Sequence, residues 1–430
     1  MFDPEIGFTS DVIRDHSRFV GRSVELRNAI KALNSSLSLI AVYGKRGVGK
    51  SSLLRQVQQM ALGDYSVAID AGLFNEIPKR PRTFLTVYYT CDSSIQTARD
   101  LVLRLCNDQD SIDGLLRLVP NDGKEIVEFQ RTKEVSAGAD LKVVNWGTKG
   151  VEASKYARVV VGDPVQTFRN FLSSIVQHQV KGRLKRDGLL ILLDEFDVIQ
   201  DKAGLGSLIK SLSSPEIKFG ICGIARDLTG LVSDHQSVER LLEEGANNVR
   251  PMFPHETARI FSTATNLYKD AVKFEEDVVA EISRQCGGYP YLAQLIGKEC
   301  VNLLNQVRST SVDKQLLGMV FNEIKCGRAF PTLESAYQRA VGDAEDRKML
   351  LHLLADQDSE DTLLSDDIGR VFLKKVRADA ATMGVQYIDQ LLPRLVDKNF
   401  GPVLAKVGEK QGVYEFLNPT FKLYVKMRNF

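Results

Sequence analysis

A chain of 430 residues with 43% hydrophobic and 26% charged side chains is long enough for two or three domains and ordinary in composition for a soluble globular protein. Lys plus Arg number 56 and Asp plus Glu 55, a formal net charge of +1, which excludes a strongly basic nucleic-acid coat and an acidic tail. No apolar run approaches the ~18 residues of a membrane helix, and the N-terminus lacks a signal-peptide core. The six cysteines (91, 106, 222, 286, 300, 326) form no CxxC pair, so buried free thiols in a reducing cytoplasm are expected, without a disulfide framework or structural zinc.

The first predicted strand is Leu37–Tyr43, an apolar run ended by glycine. Others follow at Phe84–Tyr89, Leu189–Leu193 and Phe219–Ile224, separated by helices predicted at Ser51–Met60, Ser94–Leu105, Pro164–Gln179 and Gly204–Leu212. Near-continuous apolar strands alternating with helices predict an α/β fold with a parallel sheet covered on both faces. Between the second and third strands, Arg131–Val160 is polar, glycine-punctuated and β-like, and carries Trp146, the only tryptophan. It reads as a hairpin-bearing insertion or as a disordered loop.

After Pro251 the pattern turns helical, with amphipathic stretches at His255–Leu267, Phe274–Cys286, Pro290–Gln306 and Val312–Lys325. Pro331 reads as opening a connector. Helices are then predicted at Ala344–Ala355, Ser365–Lys375 and Val385–Asn399, before a strand pair at Pro402–Val407 and Val413–Leu417. Three helices followed by a hairpin is the winged-helix order. The predicted division is an arm over 1–17, a core over 18–252 with the insertion at 131–160, an all-helical lid over 253–335 and a winged-helix domain over 336–430.

Gly44-Lys45-Arg46-Gly47-Val48-Gly49-Lys50-Ser51 fits GxxxxGK[ST], after a strand and opening a helix, where that motif must lie. Gly44, Gly47 and Gly49 would let backbone N–H groups, Val48's among them, wrap the phosphates of ATP at a helix N-terminus. Lys50 would reach the β- and γ-phosphates, and the Ser51 hydroxyl would take a place on Mg²⁺, with Ser52 beside it in the first helical turn. The strand Leu189–Leu193 runs into Asp194-Glu195-Phe196-Asp197. Asp194 would hold Mg²⁺ through its water shell, and Glu195 would orient or deprotonate the attacking water. Asp197 could support the metal or cap the next segment. Arg226, after the fourth strand, would sense the γ-phosphate in cis. Arg240 reads either as an arginine finger reaching a neighbouring subunit's nucleotide or as a solvated arginine on a helix face.

These residues resemble the STAND-type and initiator-like P-loop ATPases of the AAA+ lineage. Phe19-Val20-Gly21-Arg22-Ser23-Val24-Glu25-Leu26 is similar to that family's hhGRxxEL box, which implies that Val20 and Arg22 lie against the adenine. Gly44–Ser51 and Asp194-Glu195 match its two Walker motifs, and Gly287-Gly288-Tyr289-Pro290 resembles its GxP element, with Pro290 near the base or ribose. Tyr414-Glu415-Phe416-Leu417-Asn418-Pro419, followed by Tyr424, is similar to the F-x-N-P ending of its winged helix. No repeat array follows, and no sensor-two arginine stands out in the lid.

The resemblance implies a cytoplasmic, Mg²⁺-dependent ATPase switch, cycling between ATP and ADP, assembling with copies of itself and engaging a protein partner or effector in signalling or defence. A DNA-acting ATPase, such as an initiator, loader or transposition regulator, is the alternative. It would use the winged helix and basic clusters such as Lys181/Arg183/Lys185/Arg186, Lys374/Lys375/Arg377 and Lys422/Lys426/Arg428. Against it, the third winged helix mixes Gln386, Gln390, Arg394 and Lys398 with Asp389 and Asp397, where a DNA-reading helix would concentrate cations and amides. A non-hydrolysing scaffold is opposed by the Asp194-Glu195 pair.

Overall fold

A computed structural model describes residues 1–107, 115, 164–232, 238–357, 370–382, 388–397, 399, 401–407 and 412–429. The chain divides into two compact units, one of residues 23–43 and 53–248, the other of 1–22, 44–52 and 249–430. The insertion at 131–160, with Trp146, lies outside the described residues.

The unit of residues 23–43 and 53–248 is built on a five-stranded sheet of β1 (Leu39–Gly44), β2 (Phe84–Thr90), β3 (Gly188–Asp194), β4 (Ile217–Ile224) and β5 (Ala246–Asn248), in the order β2-β3-β4-β1-β5. The pairs β2/β3, β3/β4 and β1/β5 run parallel. All seven residues of β3 are buried, as a central parallel strand requires, and its unbroken apolar run is the reason. The α/β class with a parallel sheet stands as expected. Strand β5 was not anticipated, because Ala246-Asn247-Asn248 carries no apolar run to announce it. Helix Pro164–Ile175 passes into a π-helical stretch, Val176–Arg183, where the sequence predicted α-helix to residue 179.

The other unit is mainly helical, with helices Pro254–Leu267, Glu276–Gln285, Pro290–Val307, Lys314–Lys325, Pro331–Val341 and Glu345–Asp356. A short parallel pair, β6 (Lys273–Phe274) with β7 (Ser311–Val312), links two of the loops. Pro331 does not open a connector: it occupies the first turn of helix Pro331–Val341, where its missing N–H costs nothing. The predicted helix Ser365–Lys375 is also corrected. Strand β8 (Arg370–Phe372) precedes helix Leu373–Thr382, because Arg370–Phe372 pairs antiparallel with β10 (Val413–Phe416). β10 also pairs with β9 (Leu404–Lys406), the expected hairpin, giving the sheet order β8-β10-β9. A last helix, Pro419–Arg428, starts on an Asn418 side chain that accepts from Thr420 N at 3.1 Å.

The N-terminal arm is an integral part of this unit. Phe8 is fully buried, packed on Phe261 and Phe274, and a Cβ on Gly297 would come within 2.6 Å of its ring. Tyr268 Oη donates to the carbonyls of Asp3 and Pro4, and Thr9 N donates to the Gln294 side chain at 2.9 Å. No helix among the described residues is long and apolar enough to cross a membrane.

Candidate nucleotide-binding site

The phosphate loop leaves β1 at Gly44, and its helix starts at Lys50. Gly47 and Gly49 have φ of +83° and +94°, a backbone region that glycine enters without a Cβ penalty. That backbone permits the concave run of N–H groups that cups a phosphate. Lys50 is buried, and its ammonium donates to Lys45 O at 2.8 Å, across the loop it belongs to. Ser51 lies one residue on, in the first helical turn.

The loop is braced by distant segments of its own unit. The Arg22 guanidinium donates to Val48 O and to Arg250 O, each at 2.6 Å, and Arg22 itself has a left-handed backbone, φ +64°. Its N–H is held by Glu256 at 3.3 Å. The resemblance implied that Arg22 lies against adenine; the structure gives its side chain these two carbonyls of the loop and the 250 segment. Val20 is buried in the same unit's core. Ser52 Oγ accepts from Ile13 N at 3.0 Å, so the N-terminal arm also reaches the loop's helix.

The segment after the GxP element and the C-terminal segment complete the surroundings. Pro290 Cγ lies 3.6 Å from where a Gly49 Cβ would be, and Tyr291 N donates to Gly47 O at 3.4 Å. A Cβ on Gly47 would sit 2.7 Å from the Thr420 methyl. Lys45 Nζ pairs with Glu415 Oε1 at 3.2 Å. Sequence reasoning missed Tyr291, Glu415 and Thr420. Only the Tyr414–Pro419 ending, which includes Glu415 without giving it a role, offered any signal of the C-terminal contact.

In the parallel-sheet unit, Asp194 ends β3 and is 6% exposed. Its Oδ1 accepts from Glu195 N at 2.9 Å and its Oδ2 from the Tyr88 hydroxyl at 2.5 Å. Burial, followed by the neighbouring Asp194, pushes the Tyr88 phenol well above its usual range, so it stays a proton donor. The same causes in the same order push the Cys91 thiol up to about 12, which makes it inert at neutral pH. Glu195 is exposed, with a left-handed backbone at φ +52°. Asp197 accepts from Ile224 N at 2.8 Å, so one of its oxygens ties the end of β3 to the end of β4.

Arg226 is exposed just after β4, and Arg240 is exposed on the short helix Glu239–Leu242. The loop's glycine cradle, its lysine and a serine hydroxyl are a donor set that suits a triphosphate and a magnesium ion, so the residues present fit both groups.

No known family's sequence profile matches the chain, and no curated protein matches it. Among solved structures it is similar to Cdc6p from Pyrobaculum aerophilum, at 12% identity over 100% of this chain and 98% of that one, with a TM-score of 0.43. It is similar to Aeropyrum pernix ORC1 in complex with DNA, at 12% identity over 98% and 94%, TM-score 0.42. A third likeness is to the Thermotoga maritima RuvB Holliday junction branch migration motor, at 13% identity over 94% and 96%, TM-score 0.39.

Proposed function

We propose that this chain is a Mg²⁺-dependent P-loop ATPase of the AAA+ type whose nucleotide state is read by its C-terminal segment. The observation that carries the reading is the phosphate loop itself: left-handed Gly47 and Gly49, Lys50 folded across the loop, and Lys45 and Gly47 in contact with Glu415 and Thr420. A bound triphosphate supplies the reactive phosphoryl group, and magnesium neutralises its charge. Lys50 would hold the β- and γ-phosphates, Ser51 would take a place on the metal, Asp194 would hold it through its water shell, and Glu195 would orient or deprotonate the attacking water. Arg226 senses the γ-phosphate. Arg240, exposed, reaches the nucleotide of a second copy in a homo-oligomer.

In this reading the segment from 253 is a lid and the segment from 336 a winged helix, whose hold on the loop switches with ATP and ADP. The output is engagement of a protein partner or effector, STAND fashion, in the cytoplasm.

The second reading is a DNA-acting ATPase, an initiator or loader. Of the similar solved structures, ORC1 was solved in complex with DNA and RuvB is a branch migration motor, which agrees with this reading better than with the first. Those descriptions belong to those proteins. In this chain Lys181 is engaged by Glu216 and Arg377 by Asp389 at 2.6 Å, so part of the basic surface is already paired.

The deciding measurement is ATP turnover by the wild type and by Glu195→Gln, each with and without duplex and single-stranded DNA. DNA-stimulated turnover that Glu195→Gln abolishes makes the second reading the right one. Slow, DNA-indifferent turnover that still needs Glu195 supports the switch. Absence of nucleotide binding by the wild type overturns both.

A further inference from the structure

Arg55, Tyr88 and Asp194 are joined in a line inside the parallel-sheet unit. The Arg55 guanidinium lies 3.3 Å from the centre of the Tyr88 ring, and the Tyr88 hydroxyl donates to Asp194 Oδ2 at 2.5 Å. Arg55 belongs to helix Lys50–Leu62, the one that leaves the phosphate loop. We propose that Tyr88 is a positioning residue for Asp194, the last member of a relay that ties this helix to the carboxylate assigned to magnesium. The inference rests on the ATPase reading above and deepens it.

The strand register explains how the phenol arrives. Tyr88 on β2 pairs with Leu192 on β3, and Thr90 pairs with Asp194. Side chains alternate along a strand, so Thr86, Tyr88 and Asp194 share one face of the sheet. The helix grips that face twice. Arg55 stacks on Tyr88, and Gln58, which accepts from Arg55 at 3.0 Å, donates to Thr86 Oγ1 at 3.2 Å.

The carboxylate's own hydrogen bonds say what the phenol contributes. The torsion that turns an aspartate carboxylate is soft, and nothing but its partners fixes it. Glu195 N engages Oδ1 and Tyr88 engages Oδ2, one donor to each oxygen. An ionised carboxylate has about four lone-pair sites, so both oxygens keep acceptor capacity for metal-bound water. Tyr88 thus fixes the plane of Asp194 without saturating it. A phenol needed only to fill the core could have used any backbone acceptor; this one spends its proton on the end-of-strand carboxylate.

Tyr88→Phe keeps the ring and its stacking with Arg55 and removes only the donor. Binding of a fluorescent ADP analogue is titrated in EDTA and against Mg²⁺, for wild type, Tyr88→Phe and Arg55→Met. Partners that orient a metal ligand typically change metal affinity by 10-fold or more. The expected result is unchanged affinity without magnesium, and a roughly 10-fold rise in the Mg²⁺ concentration that gives half of the magnesium-dependent tightening. Arg55→Met, which leaves the phenol but loosens it, shifts the same midpoint in the same direction and less far. A merely structural tyrosine would lower the melting temperature and leave the midpoint where it was, and that result overturns the proposal. If Tyr88→Phe does not fold, Arg55→Met decides by the same criterion. Wild type that binds no nucleotide at all fails the ATPase reading itself, whereas wild type that binds with an unshifted variant fails only this inference.

Discussion

Lys45, in the phosphate loop, and Glu415, on β10, form an ion pair at 3.2 Å with side chains only 14% and 15% exposed. A pair so shielded is screened little by salt, unlike the surface pairs of the same molecule. It holds the loop to the C-terminal sheet, so on the ATPase reading loosening it should speed nucleotide exchange. Glu415→Gln keeps the shape and removes the charge. Weakening this contact by about 1 kcal/mol corresponds to roughly a five-fold faster release of a fluorescent ADP analogue in stopped flow. An unchanged release rate would count against a C-terminal hold on the loop.

Gly47→Ala tests the cradle from both sides. The new methyl would meet Thr420 at 2.7 Å on a backbone, φ +83°, that alanine avoids. Nucleotide binding is expected to fall by more than ten-fold, with the circular dichroism spectrum retained. Combining it with Thr420→Ser relieves the clash but not the backbone, so binding should return only in part.

Glu195 pays for its place with a left-handed backbone, φ +52°, at an exposed position. Strain of this sort persists where function requires it. Glu195→Gly should therefore raise the unfolding free energy by up to about 1 kcal/mol, read from urea titrations, while turnover drops by about 100-fold or more. Loss of stability together with turnover would show that the side chain is needed for folding instead.

Lys218, fully buried on β4, donates to Ala32 O at 2.6 Å, Ser35 O at 2.7 Å and Ser38 Oγ at 3.1 Å. Burial first, then the nearby Arg82, pull its ammonium down to about 7, against the opposing pull of Glu244. In the unfolded chain the same group titrates near ~10.4. Between those values the unfolded chain binds more protons than the folded one, so stability rises with pH across this window. Urea midpoints measured from pH 7 to 10 should climb for the wild type. The Lys218→Met variant should lose that slope and still fold, because Ala32 O keeps the Ser38 hydroxyl and Ser35 O keeps Arg82 as donors. Equal slopes would refute the assignment.

Phe8→Ala should free the N-terminal arm. Truncating a buried phenylalanine costs about 3–5 kcal/mol, more than an arm of this size can spare. Limited trypsin digestion is then expected to cut at Arg14 and Arg18 before any other site, whereas the wild type resists there. Equal cleavage in both would mean that Phe8 does not anchor the arm.

What the sequence made legible was local. Gly44–Ser51 and Asp194-Glu195 are short motifs written in consecutive residues, and the buried run of β3 announces itself. The partners of those residues were not legible, because they come from strand register and long-range packing. Tyr88 meets Asp194 across 106 positions of sequence, and nothing near Tyr88 marks it as different from its neighbour Tyr89. Pro331 was misread because proline both ends helices and starts them, and only the context at Phe330, φ +56°, resolves which. Arg370–Phe372 is too short a run to show a period of its own, and the pairing with β10 makes it a strand.

The anchoring of the first residues has a consequence for synthesis. Phe2 and Thr9 bond to Asn305 and Gln294, partners 303 and 285 positions downstream. At about 5–20 residues per second, the ribosome takes roughly 15–60 s to supply them. Residues 23–43 and 53–248 can assemble their sheet in that interval, from contacts already made. The phosphate loop at 44–52 belongs with the later partners. It waits, together with the arm that preceded it, for Tyr291, Glu415 and Thr420, so the loop is packed only once those residues have been made.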